Sequence, residues 1–223
     1  MKRHFEEIEQ GLKEQVLGMG AVVEEMIHLA TKGLLERKEE PLREVHEREK
    51  RVNRLHIDID EGCFKLLALH QPAAQDLRFV MAVVKINSDL ERIGDQAVNV
   101  AQSTAVLLKQ PPLARKLLDI PRMSELASSM LKDSLDAFAR KDAELARSVV
   151  RRDTEEDKLK SEAFHELMHI MQSDSGTIQR ALGLILIARN LERIADHATN
   201  VAEDVIFMTL GKDIRHHAED EER

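Results

Sequence analysis

The chain writes one phrase twice. Asp89-Leu90-Glu91-Arg92-Ile93-Gly94-Asp95-Gln96-Ala97-Val98-Asn99-Val100-Ala101 returns as Asn190-Leu191-Glu192-Arg193-Ile194-Ala195-Asp196-His197-Ala198-Thr199-Asn200-Val201-Ala202, about 100 residues later in a chain of 223. A repeat of that period makes the chain two versions of one module, each of a usual domain size. Both versions keep a carboxylate at i and i+4 and an asparagine at i+8: Glu91, Asp95, Asn99 and Glu192, Asp196, Asn200. On a helix those three stand above one another on one face.

Proline and glycine divide the chain into long amphipathic stretches. Apolar residues at helical spacing (Ile8, Leu12, Val16, Met19, Met26, Leu34) predict a first helix from Phe5 to about Lys38. A second starts near Pro41 and ends at Gln71-Pro72, because the residue before proline avoids the helical region. A third runs from about Ala73 to Lys109. Pro111, Pro112 and Pro121 then mark the boundary between halves. The second half repeats the plan, with helices over Met123–Arg140, Asp142–Met171 and Thr177–Leu210, the last capped by Gly211. No segment sustains period-2 alternation. The expected fold is all-α: two tandem, pseudo-symmetric three-helix bundles over residues 1–112 and 113–215, made of six long helices, followed by a charged tail over 216–223.

Composition narrows the function. Aromatics are only 3% of the chain, so its core is built from Leu, Ile, Val, Ala and Met, as suits helix packing. The net charge of −8, with no large Lys/Arg cluster, argues against a nucleic-acid partner. One cysteine, Cys63, allows no internal disulfide, and the residues after Met1 lack the apolar core of a signal peptide. No apolar run is long enough to span a bilayer. A cytoplasmic protein is expected, peripheral at most to membrane complexes.

The carboxylate stripes admit two readings. Two carboxylates one helical turn apart can share a hard cation, or they can form an ordinary solvated face with surface ion pairs worth little. On the helical wheel Glu91, Asp95 and Asn99 lie nearly opposite the apolar stripe of Ile86, Leu90, Ile93, Ala97 and Val100, which favours the solvated face. The preceding helix of each half changes the balance. It carries Glu49-x-x-x-Asn53 in the first half and Asp153-x-x-x-Asp157 in the second. Antiparallel neighbours would bring these pairs level with Glu91-x-x-x-Asp95 and Glu192-x-x-x-Asp196, so that four oxygen-bearing side chains converge per bundle.

Other motifs weigh less. His165-Glu166-Leu167-Met168-His169 matches the zinc-protease pattern His-Glu-x-x-His. It lacks a third ligand, a substrate-binding strand and a counterpart in the first half. Glu162-x-x-His165 and Glu166-x-x-His169 echo a di-iron motif, but that site needs such a motif on two helices. These histidines read as surface residues, Cys63 as a buried inert thiol, and His216-His217 as part of the tail. There is no Gly-rich phosphate loop and no nucleophile with an evident base.

The ordered set of motifs resembles the PhoU family of phosphate-uptake regulators. The doubled Leu-Glu-Arg-Ile-Gly/Ala-Asp phrase carries the likeness. So do Gln71-Pro72-Ala73-Ala74-Gln75-Asp76-Leu77-Arg78, Met19-Gly20, and Asp136-Ala137-Phe138-Ala139-Arg140-Lys141-Asp142. The likeness runs from about Phe5 to His216. It implies two three-helix bundles and a non-enzymatic adaptor, which acts with the ATPase subunit of a phosphate-specific ABC importer and with a sensor histidine kinase. Such an adaptor restrains phosphate-starvation signalling when phosphate is plentiful. A homo-oligomer, in its simplest form a homodimer, is expected. The resemblance also implies multinuclear iron or zinc on the bundle surface. The second-bundle ligands would be Asp153, Asp157, Glu192 and Asp196. The first-bundle ligands would be Glu49, Asn53, Glu91 and Asp95, a set weakened by the neutral amide of Asn53. The alternative from another class is a metal-dependent hydrolase or oxidase built on the same carboxylates.

Overall fold

The computed structural model describes residues 2–113 and 119–214. The charged tail over 216–223, with His216 and His217, lies outside the described residues. The first half holds α1 (Lys2–Glu36), α2 (Glu40–His70) and α3 (Gln75–Leu108). The second holds α4 (Asp119–Arg140), α5 (Ala143–Val150), α6 (Asp153–Ser173), a 3₁₀ turn (Ser175–Thr177) and α7 (Ile178–Leu210). The described residues contain no strand. The all-α plan of three helical rods per half stands.

Two boundaries differ from expectation. The stretch from Asp142 to Met171 is two helices rather than one. It breaks at Arg151-Arg152, where the Arg152 N–H donates to Val149 O at 2.9 Å, a tighter bond than the helical one. The Arg152 guanidinium reaches α4, donating to Asp133 Oδ2 at 2.6 Å and Ser129 Oγ at 3.2 Å. This tertiary tie leaves no mark in the local pattern. The fourth helix also starts at Asp119 instead of Met123, which puts Pro121 in its first turn. There the missing proline N–H has no intrahelical acceptor to lose.

Elsewhere local chemistry sets the ends. Asp142 caps α5 by accepting from the N–H groups of Glu144 and Leu145, both at 3.0 Å. Gly211 ends α7 in the left-handed region at φ 70°, donating to Phe207 O at 2.8 Å. The bends after α1 and α4 are matched: Arg37 and Lys141 both take positive φ, 53° and 54°. The module repeat therefore extends to backbone detail.

The halves are fused through one core. Buried Val16, Met19, Val23, Ile86, Leu90 and Ile93 of the first half belong to the same apolar cluster as Met130, Leu131, Phe138, Leu191 and Ile194 of the second. The seam is made by α3 against α7 and α1 against α4. Gly20 permits the latter approach, since a Cβ there would collide with Leu135. Phe79 stacks on Phe138 with ring centroids 6.1 Å apart. Polar ties cross the same seam: Lys85 Nζ to Asp204 Oδ1 at 2.7 Å, and His197 Nδ1 to Asp89 Oδ1 at 2.8 Å.

Candidate functional site

In the first bundle α2 and α3 lie antiparallel, side by side. A Cβ on Gly94 would stand 3.4 Å from Val52 Cγ1, and Asn87 Nδ2 donates to His56 O and Asp60 Oδ1, both at 2.9 Å. That register brings Glu49 and Asn53 level with Glu91 and Asp95. Asn53 is exposed and the other three are half-buried, so the stripe is not an open wet face. Glu49 and Glu91 nevertheless turn to their own helices: Glu49 to His46 Nδ1 at 3.7 Å, Glu91 to Arg92 Nε at 3.8 Å.

The second bundle keeps the register and concentrates charge. Thr199 Oγ1 donates to Asp153 Oδ1 at 3.2 Å. Lys160 Nζ bridges α6 and α7, 2.7 Å from Asp157 Oδ1 and 2.7 Å from Glu192 Oε1. Here the structure draws together the pairs that the sequence placed on separate helices. Asp196 is open to solvent on its outer side. Yet the desolvation it does suffer, and then the charges of Glu192, Asp153 and Asp157, push its carboxyl up to about 6. Asp153 is raised too, first by burial and then by Asp157 and Glu192 against the relief of the Thr199 hydroxyl. The Lys160 ammonium is held well above the ordinary lysine range by its hydrogen bonds to Asp157 and Glu192.

Two members of this cluster escaped the sequence reading. Lys160 is one. Glu156 is the other, and it is only 1% exposed. Both its Oε1 and Oε2 are buried without a hydrogen-bond partner. Burial, then the charges of Glu192, Glu155, Asp153 and Asp157, pushes its carboxyl up to about 8. A signal was available. Glu156 falls in phase with the buried apolar positions Leu159, Ala163 and Leu167 of its helix, where a wet-face glutamate does not belong.

The donor set of Asp153, Asp157, Glu192 and Asp196 suits a hard cation: oxygen ligands only, with an excess of negative charge. As the side chains stand, no three His, Cys, Asp or Glu groups among the described residues converge tightly enough to hold one. Lys160 supplies the positive charge instead. Beside it, a surface cleft of about 440 Å³ between α6 and α7, lined by Phe164, Ile185 and Arg189, opens onto Lys160 and Glu192. The other motifs take the places expected of them. His165 and His169 are exposed, and His165 Nδ1 lies 2.7 Å from Ser161 O. Cys63 is 1% exposed, with its thiol pushed up to about 12 by burial and then by Asp60. No described helix is long and apolar enough to cross a membrane.

Comparison with known proteins agrees with this architecture. A protein-family model described as "PhoU domain" matches twice, over residues 16–104 and 120–205. A phosphate-specific transport system accessory protein PhoU homolog of Aquifex aeolicus is 40% identical over 212 residues, covering 95% of each chain. The Pseudomonas putida protein of the same description is 38% identical over 205 residues, covering 92% of this chain and 80% of its own. Among solved structures, PhoU from Pseudomonas aeruginosa superposes with a TM-score of 0.91 at 36% identity, covering 93% of this chain and all of its own. The phosphate transport system regulatory protein PhoU from Streptococcus pneumoniae gives 0.87 at 29% identity, over 94% of this chain and 98% of its own. Nothing among these relatives supports the hydrolase or oxidase alternative. With both halves matched and relatives covered nearly end to end, the chain belongs to the PhoU family, a family of phosphate-transport accessory proteins and not of enzymes.

Proposed function

We propose that this chain is a cytoplasmic adaptor that restrains phosphate-starvation signalling, by contacting the ATPase subunit of a phosphate-specific ABC importer and a sensor histidine kinase. The observation that carries this reading is the match over both halves to proteins described as accessory to phosphate-specific transport. The surface offers what an adaptor needs. Leu77 and Met81 on α3 are 40% and 42% exposed, and the matching positions of the repeat, Ile178 and Leu182 on α7, are 42% and 49% exposed. Apolar exposure recurring at the same place in each half supports reading these positions as the contact surface. A homodimer belongs to the same reading and is checked by sedimentation.

The test is retention of the purified importer ATPase and kinase on immobilised chain, beside a Met81→Glu/Leu182→Glu variant. In parallel, a phosphate-responsive reporter is followed in a deletion strain. Retention lost in the variant, with a reporter active at high phosphate in the deletion strain, is expected. A chain that retains neither partner and whose deletion leaves the reporter repressed is not this adaptor.

A metal role is the second part of the proposal. Asp153, Asp157, Glu192 and Asp196 would hold iron or zinc at the second bundle, with Lys160 displaced. Glu49, Asn53, Glu91 and Asp95 would form a weaker site at the first. The bound metal would clamp neighbouring helices together and cancel surface charge. Elemental analysis of untagged protein, purified without chelator, should find metal that is lost in the Asp157→Ala/Asp196→Ala variant.

A further inference from the structure

We propose that the outer face of α7, with the cleft it forms against α6, docks one amphipathic helix of a partner protein, apolar along its seated face and acidic at one end. The inference rests on the adaptor reading given above and names the kind of segment that the second bundle takes. Ile178, Leu182, Leu186, Arg189 and Arg193 follow one another at spacings of four, four, three and four, so they stand on one line along α7. The line is about 22 Å long, the length of a four-turn helix. Leu186 is 51% exposed, more than Ile178 or Leu182 before it. Phe164 of α6, 45% exposed, stands across the cleft of about 440 Å³ that Ile185 and Ala188 also line. An apolar row with room beside it for a large side chain is the groove into which an amphipathic helix lays its anchors.

The fold does not require so long an apolar row. In the first half the matching positions are Leu77, Met81, Lys85, Ser88 and Arg92. There Lys85 closes the row, with its ammonium 2.7 Å from Asp204 Oδ1 and 5.5 Å from the centre of the Phe207 ring. Leu186 replaces that lysine and leaves the row open in the second half. Charge decides what covers it. Glu192, one turn on from Arg189, accepts from Lys160 at 2.7 Å. Arg189 is left exposed, with no hydrogen bond or ion pair among the described residues. An acid on the occupant would meet this guanidinium at the rim of the apolar row, fixing the register and direction of the docked helix. The acidic end must be short, because the same line of α7 turns negative at Asp196. A surface of anionic lipid, which extends over the whole face, would be repelled by Asp157, Glu192 and Asp196.

The test uses the full chain with the purified importer ATPase and the purified sensor kinase. The photo-cross-linking residue p-benzoylphenylalanine is placed at Leu182 or at Phe164, and the peptide it captures is sequenced. Both positions should mark one helical segment of one partner, with apolar residues at helical spacing and Asp or Glu at one end. Arg189→Glu and Leu186→Glu should each weaken binding of that partner at least about tenfold. Their melting temperatures should be those of wild type, since both side chains are exposed. Changing the acid of the captured segment to Lys should restore binding to Arg189→Glu, a rescue that lost packing cannot give. Wild-type binding by both variants, or capture of a segment that is not an acidic amphipathic helix, overturns the proposal and leaves the adaptor reading standing. Capture of a second copy of this chain does the same. So does flotation with phosphatidylglycerol vesicles that Leu186→Glu abolishes. A chain that binds neither partner overturns both.

Discussion

At one matched point of the repeat, the first bundle buries Val52 and the second buries Glu156. Both side chains are 1% exposed. Around them the second bundle substitutes further: Asp157 for Asn53, Lys160 for His56, Ala195 for Gly94. In the first bundle Glu49 and Glu91 pair with residues of their own helices. The second gathers five carboxylates and answers them with one ammonium across helices. Backbone register is shared because the apolar positions that set it repeat. The chemistry mounted on that register is free to diverge, and desolvation then turns a single substitution into a large electrostatic difference.

Exchanging the two residues tests the comparison most severely. Val52→Glu should cost about 4 kcal/mol of stability, read from chemical denaturation, because it places a carboxyl at a position that is 1% exposed and packed against Gly94. A cost under about 1 kcal/mol would show that the first bundle tolerates the charge equally well. The reverse change, Glu156→Val, should stabilise by about 2 kcal/mol at pH 8. Its pH dependence has a definite sign. The folded carboxyl is raised from the ordinary 4.5 to about 8. The protonated group's contribution is thus complete below about 4.5 and lost as pH rises through about 8. The advantage of the variant should therefore widen between these limits. Melting curves at pH 5 and pH 8 check this, and an advantage that shrinks with pH would contradict a raised carboxyl.

Smaller effects sharpen the contrast. Lys160→Met removes the tethered ammonium from between Asp157 and Glu192 and should tighten Mn²⁺ binding about tenfold. His56→Met in the first bundle should change it by less than about twofold. Unchanged affinity in Lys160→Met would mean that the ammonium does not compete for the site. The helix turns that face Val52 and Glu156 differ by one methyl group. Ala195→Gly should cost about 1 kcal/mol, and Gly94→Ala should gain somewhat less, since its new Cβ meets Val52 at 3.4 Å. Thermal melts of this pair complete the comparison.

Much of the architecture could be read along the chain. The doubled phrase, the helical spacing of residues such as Val16, Met26, Ile86 and Leu90, and the stops at Gln71-Pro72 and Gly211 are local signals, and the helices follow them. The break at Arg151-Arg152 was not legible: it coincides with a guanidinium reaching Asp133 on another helix, a contact that leaves no local pattern. The placing of the acidic pairs on neighbouring antiparallel helices was legible in outline. Glu49, Asn53, Glu91 and Asp95, and their second-half counterparts, sit level as the antiparallel arrangement requires. Lys160 was hidden because its role depends on reaching Glu192, which is remote in sequence. Glu156 was hidden because it stands between Glu155 and Asp157, which mask its phase with Leu159 and Ala163.

The sequence alone determined the helices, their repeat and the faces on which the carboxylates stand, since propensity, periodicity and capping act within a few residues of chain. Tertiary structure alone decided that the two bundles share one core, which carboxylates lose solvent, and where the countercharge sits. Those outcomes depend on distances between helices and on the dielectric between them, which exist only once α6 has packed against α7.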